Sequence, residues 1–125
     1  MNTLLSIHWA LIASVWYFAN GILHDFFVIL NHKGKYDREL LRLLMDGHVL
    51  ILSGLVVFVC YLMMLNKIQG AALISIIIAI GMLVYCAMIF PFLKSIGTIT
   101  ISIVLIIVSI RAMNGFPAFY EIIQK

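Results

Sequence analysis

The chain is 125 residues long, 65% apolar and only 10% charged, with a mean hydropathy of +1.18 and a formal net charge of +3. A soluble domain is nearer half apolar and a quarter charged, so this composition excludes an ordinary soluble globule, a disordered chain and a secreted disulfide scaffold. The eight basic residues cluster at the ends of apolar runs, a membrane charge pattern that excludes a nucleic-acid-binding stripe.

A bilayer core of ~30 Å needs about 20 helical residues, and four apolar runs meet that length. The expected spans are about 4–31, 37–65, 71–91 and 95–113, in a single domain 1–125. Asn31-His32-Lys33-Gly34-Lys35 breaks the first run, with Gly34 as the turn residue. Asp37 has the chemistry of an N-cap for the second helix. Asn66-Lys67-Ile68-Gln69-Gly70 forms the next loop, and the third span ends at Pro91. The fourth lies between Lys94 and Arg111, whose long side chains can snorkel to either boundary. None of the runs alternates, which excludes a transmembrane barrel. The fold class that follows is an all-α integral membrane protein, an antiparallel four-transmembrane-helix bundle.

The first helix lacks a basic leader and a convincing cleavage motif, so it is expected to be retained. After Asn114 a Gly-Phe-Pro break precedes Phe119, Tyr120, Ile122 and Ile123, a pattern that suits the membrane interface. Lys33, Lys35, Arg38, Arg42 and Lys94 lie at one end of the bundle, against Lys67, Arg111 and Lys125 at the other. That bias assigns the first and third loops to the cytoplasmic side of an inner or plasma membrane, with both termini outside. Cys60 and Cys86 sit mid-run, where a thiol behaves as a small hydrophobe.

The unusual chemistry is concentrated on the first hairpin. Asn20, His24, Asp25 and His32 lie on helix one; Arg38, Glu39, Arg42, Asp46 and His48 lie on helix two. A turn centred near Gly34 pairs residues whose numbers sum to about 68–72, which brings these groups to one depth at 1.5 Å per residue. On helix two, Glu39, Arg42, Asp46 and Ser53 fall within about 60° of one another, while His48 points the other way. Arg42 and Asp46, an i,i+4 pair, have the spacing for a salt bridge that holds Asp46 ionised. On helix one, Ala13, Tyr17, Asn20 and His24 share a stripe, and Asp25 lies nearly a quarter-turn round from it. An uncompensated charge at bilayer depth costs roughly 2.5–3.5 kcal/mol or more, so this layer calls for partners or a function. Three readings stay open: structural ion pairing, a ligand or cofactor site, or groups solvated among lipid headgroups.

The candidate ligand-binding or proton-relay residues are His24, Asp46 and Arg42, followed by Asp25, His48 and Asn20. His24 and His48 have the depth for axial haem ligands, if their rings face each other across the bundle. Together with Asp25, His32 and Asp46 they also have the donor types for a divalent metal, although no HxxxH or ExxH spacing occurs. Asp25 and Asp46 are the carboxylates that proton-coupled transport would use.

In length and span count the chain is similar to the small multidrug resistance transporters. That family relies on a glutamate within helix one, and this helix has none, so no residue carries over. Its four-helix layout, with a charged start to helix two, resembles the membrane-associated eicosanoid and glutathione enzymes. Their Asn-x-x-Glu element is replaced here by Arg-Glu-Leu-Leu-Arg-Leu-Leu-Met-Asp-Gly-His.

Small residues at close spacing mark helix-packing faces: Ala10 and Ser14, Ser75 and Ala79, Thr98 and Ser102, and Gly47 with Gly54. Trp9, Trp16, Tyr61 and Tyr85 suit packing or interface anchoring. Four short helices are expected to enclose little volume, which favours a cavity between chains. The expected partners are therefore the lipid bilayer and either further copies of the chain or other membrane subunits. Functionally, the sequence points to a membrane protein that binds a small ligand, ion or cofactor at the polar layer, for transport or electron transfer. The alternatives are a non-catalytic subunit of a larger membrane complex and an enzyme acting on a lipophilic substrate.

Overall fold

The structure, a computed structural model, describes residues 3–90 and 95–116. Pro91, Lys94 and the expected interfacial segment beyond Phe116 lie outside the described residues. Four helices follow in order: α1 (Thr3–Asn31), α2 (Arg38–Leu65), α3 (Gln69–Ile89) and α4 (Ile96–Gly115). All four are long and apolar enough to cross a membrane. The protein is an all-α four-helix membrane bundle, with no strand among the described residues.

The connections follow from local chemistry. Asp37 caps α2, its carboxylate accepting from the Leu40 N–H at 2.8 Å. In the same loop, His32 Nε2 lies 3.5 Å from Asp37 Oδ2 and 3.4 Å from the Lys35 carbonyl oxygen. The α2–α3 loop is shorter than its sequence suggests. Lys67 takes a left-handed conformation, φ 58°, and completes the reversal, so that Gln69 and Gly70 already belong to α3.

Each helix packs against its two neighbours in a ring, with α1 on α2 and α4, and α3 on α4 and α2. The α1–α2 contact is the most extensive and the α2–α3 contact the least. Small and hydroxyl-bearing residues face inward at spacings of three and four. On α3 these are Ala72, Ser75, Ala79 and Cys86, with Met82 among them; on α4 they are Thr98, Ser102, Ser109 and Ala112, with Leu105 among them. The large aliphatics, such as Ile77, Val84 and Ile103, face outward. Lipid is as apolar as leucine, so burying leucine gains little, and close backbone approach through small residues is what holds such helices together.

Side-chain hydrogen bonds pin the ring. Ser102 donates to the Thr98 carbonyl oxygen at 2.7 Å, so at 2.6 Å it accepts from the buried Tyr17 hydroxyl, which joins α1 to α4. Nearby, the Trp16 indole donates to Thr98 Oγ1 at 3.4 Å. Ser14 donates across to the Gly54 carbonyl oxygen at 2.9 Å, and His8 Nδ1 meets the Tyr61 hydroxyl at 3.1 Å, both joining α1 to α2.

The α1–α2 contact is a backbone crossing. A Cβ added at Gly54 would lie 2.7 Å from the Phe18 nitrogen and 2.9 Å from the Ser14 oxygen. One added at Gly21 would lie 2.6 Å from the Gly47 oxygen and 2.8 Å from the Ile51 nitrogen. Backbone cannot move aside as a flexible side chain does, so these glycines set the interhelical distance. We predict that Gly54→Ala lowers unfolding stability by about 1–3 kcal/mol. Gly81→Ala, where no atom lies within 4 Å, should leave it unchanged or raise it by up to about 1 kcal/mol; equilibrium unfolding in mixed micelles measures both.

Candidate functional site

The polar residues of the first hairpin separate into two connected groups. One surrounds Asp25. This carboxylate is 9% exposed in the α1–α2 seam, and both of its oxygens are engaged: His24 Nδ1 at 3.5 Å on Oδ1, His48 Nδ1 at 3.0 Å on Oδ2. His48 Nδ1 also meets the Leu44 carbonyl oxygen at 2.9 Å. A carbonyl and a carboxylate only accept, so Nδ1 of His48 is the protonated nitrogen. The same reasoning places a proton on Nδ1 of His24, which leaves Nε2 as the ring nitrogen free to meet another molecule.

Gly47 is what admits Asp25 to the seam. A Cβ at position 47 would collide with the Asp25 carboxylate and would lie 2.9 Å from the Gly21 carbonyl oxygen. A buried carboxylate without partners would be costly, and here two imidazoles provide them.

The second group lines a cavity of about 460 Å³ at the end of the bundle where the α1–α2 loop lies. Its walls come from all four helices. His24 enters from α1, and Arg42 and Asp46 come from successive turns of α2. From α3 come Tyr85 and Cys86, and from the start of α4 Ser95 and Thr98. Leu43, Leu50 and Ile89 supply the apolar surface. Tyr85 and Asp46 line the same cavity, one from α3 and one from α2. His24 thus belongs to both groups: its Nδ1 meets Asp25, and the residue lines the cavity.

Several sequence expectations are modified by this geometry. The cavity forms within one chain and needs no second copy, because α2 and α3 diverge and the α4 wall carries only Ser95 and Thr98. Arg42 and Asp46 face the same space, but no ion pair joins them: every salt-bridge contact among the described residues involves a histidine. Asn20 turns back on its own helix and donates to the Trp16 carbonyl oxygen at 2.9 Å, so it joins neither group. His24 and His48, the expected axial pair for haem, turn to the two oxygens of Asp25 instead of facing each other. No group of three or more His, Cys, Asp or Glu that could hold a metal ion occurs among the described residues.

Tyr85, Cys86 and Thr98 were not legible as site residues. Tyr85 reads as an anchor and Thr98 as half of a packing pair. The available signal was the inward stripe, on which Cys86 and Thr98 lie and which Tyr85 adjoins. Compared with known protein families, curated proteins and solved structures, the chain matches none of them.

The Asp25 arrangement makes a quantitative prediction. Asp25→Ala should cost about 0.5–1.5 kcal/mol of stability, the net worth of an ordinary hydrogen bond, because His48 stays exposed and keeps its contact with the Leu44 carbonyl oxygen. Gly47→Ala should cost a similar amount in the native background and less in the Asp25→Ala background, where the colliding carboxylate is gone. It should not become neutral, since the Gly21 oxygen stays in place. A double-mutant cycle measures the coupling.

Proposed function

We propose that this membrane bundle binds a small amphipathic molecule in the cavity between its four helices. The polar part of the ligand would meet His24, Arg42 and Asp46, and its apolar part Leu43, Leu50 and Ile89. The observation that carries this reading is the convergence of three polar side chains of the first hairpin on one cavity that α3 and α4 complete. The volume of about 460 Å³ falls in the range of small-molecule sites, roughly 300–1,000 Å³. Arg42 and Asp46 lie unpaired with each other at the cavity wall, which suits groups that meet a ligand better than groups that only brace a fold. The excess of Lys and Arg at this end favours a cavity that opens toward the cytoplasm.

A second reading draws on Asp25. Held on both oxygens by His24 and His48, it supports a structural polar layer in a subunit of a larger membrane assembly.

Two variants separate the readings. Ser95 lies at the cavity wall and its side chain makes no capping bond, so Ser95→Trp fills the space with little disturbance to α4. Small molecules extracted from the purified protein and identified by mass spectrometry should include a stoichiometric species that Ser95→Trp and His24→Gln both lose while the protein still assembles. If wild type and Ser95→Trp carry the same molecules in the same amounts, the cavity is not a binding site. If His24→Gln instead disrupts assembly and no ligand is found, the structural reading holds.

A further inference from the structure

We infer that the cavity is shaped for a zwitterionic head group carrying a primary ammonium and a phosphate, the chemistry of phosphoethanolamine. This rests on the reading of the cavity as a binding site and names its ligand class. Arg42 and Asp46 stand one helical turn apart on α2, and both line the cavity. Side chains at i and i+4 lie within reach of each other, and a base four residues before an acid pairs less well than the reverse order. These two do not pair, and no other described residue forms an ion pair with either. A ligand with one charge of each sign satisfies the exposed Arg42 and the half-buried Asp46 at once, whereas a singly charged ligand pairs with only one of them.

The neighbours assign the charges. An ammonium has three N–H donors, and Asp46 and Tyr85, both lining the cavity, carry acceptor oxygens for them. A trimethylated ammonium has no N–H to donate. Arg42 presents the planar donor fork that matches phosphate oxygens, and His24, whose Nδ1 meets Asp25, lines the same cavity. The Asp25 carboxylate does not compete for the ammonium, because both its oxygens already face imidazoles.

Depth agrees with a head group. Arg42 is in the second turn of α2, Ile89 is the last residue of α3, and Ser95 is the N-cap of α4. The cavity therefore lies where three helices begin or end, at the polar boundary of a bilayer. Leu43, Leu50 and Ile89 give the first carbons beyond the phosphate an apolar surface. The same head group could be presented by a phospholipid or by a free water-soluble phosphoethanolamine ester.

Native mass spectrometry of the full chain, released from micelles holding equal amounts of phosphatidylethanolamine, phosphatidylcholine and phosphatidylglycerol, tests the inference. Wild type should retain phosphatidylethanolamine over both others by about tenfold, the worth of one charge-assisted hydrogen bond. Asp46→Asn should lose that preference and turn it toward phosphatidylglycerol. Arg42→Gln should weaken retention of all three lipids. Tyr85→Phe, which preserves the packing ring, should lower the preference for phosphatidylethanolamine over phosphatidylcholine. Excess glycerophosphoethanolamine identifies the source: displacement of the lipid shows that the free head group suffices, and persistence shows that the lipid is the ligand. Equal retention of the three lipids by wild type, or an unchanged preference in Asp46→Asn, overturns the inference. If Ser95→Trp releases a bound molecule that is not a zwitterion, the cavity reading survives and the ligand class is wrong. If Ser95→Trp releases nothing, both fail.

Discussion

The close approach of α1 and α2 is the constraint on which the rest of the structure depends. Gly21, Gly47 and Gly54 let two backbones come to distances at which a single methyl group would collide with main-chain atoms. In a membrane there is little hydrophobic gain from packing apolar side chains together, so this approach is the means of bringing polar groups into contact. It places Asp25 against Gly47 and within reach of His48, and it turns His24, one residue away, toward the cavity. A wider crossing would leave Asp25 facing lipid or water, and the two imidazoles would lose their common partner.

The other three contacts are looser and different in kind. α1 meets α4 through hydroxyls, Tyr17 to Ser102 to the Thr98 carbonyl. α3 meets α4 along faces whose buried positions are mostly Ala, Ser, Cys and Thr. α2 and α3 touch least, and the space they leave is the cavity. A tight seam on one side and a divergence on the other thus have complementary consequences: the first fixes the histidines and the second gives them something to face. Ser109 Oγ, buried in α4 without a hydrogen-bond partner among the described residues, is a polar group for which the packing gives no physical account.

The first hairpin was the most legible part of the sequence. Antiparallel helices joined by a short loop have a register set by counting, and the observed close pairs obey it. Gly54 meets Ser14 and Phe18, Gly47 meets Gly21 and Asp25, and Gly21 meets Ile51, all with residue numbers summing to 68 or 72. The separation of Asp46 from His48 followed equally from helical angles, and the structure puts the first on the cavity and the second on the exposed side of the seam. Which contacts form within that register was less legible. Arg42 and Asp46 have salt-bridge spacing, but spacing cannot tell whether two side chains turn to each other or to a shared space. Rotation of α3 and α4 about their own axes depends on packing with no charged residue to mark an inner face, so Tyr85, Cys86 and Thr98 stayed unassigned. The regular placement of Ala, Ser, Cys and Thr among isoleucines was the trace of that face in the sequence.

The central claim is that the α1–α2 crossing holds one buried carboxylate between two imidazoles. Ring-nitrogen NMR on the histidine-labelled protein in lipid nanodiscs tests it most directly, with His24 and His48 assigned by single substitution. The geometry requires both rings to carry a proton on Nδ1, and Asp25→Asn should shift the Nδ1 signals of both. Neutral rings protonated only on Nε2, or signals that ignore the loss of the carboxylate, would mean that the two helices do not meet as described.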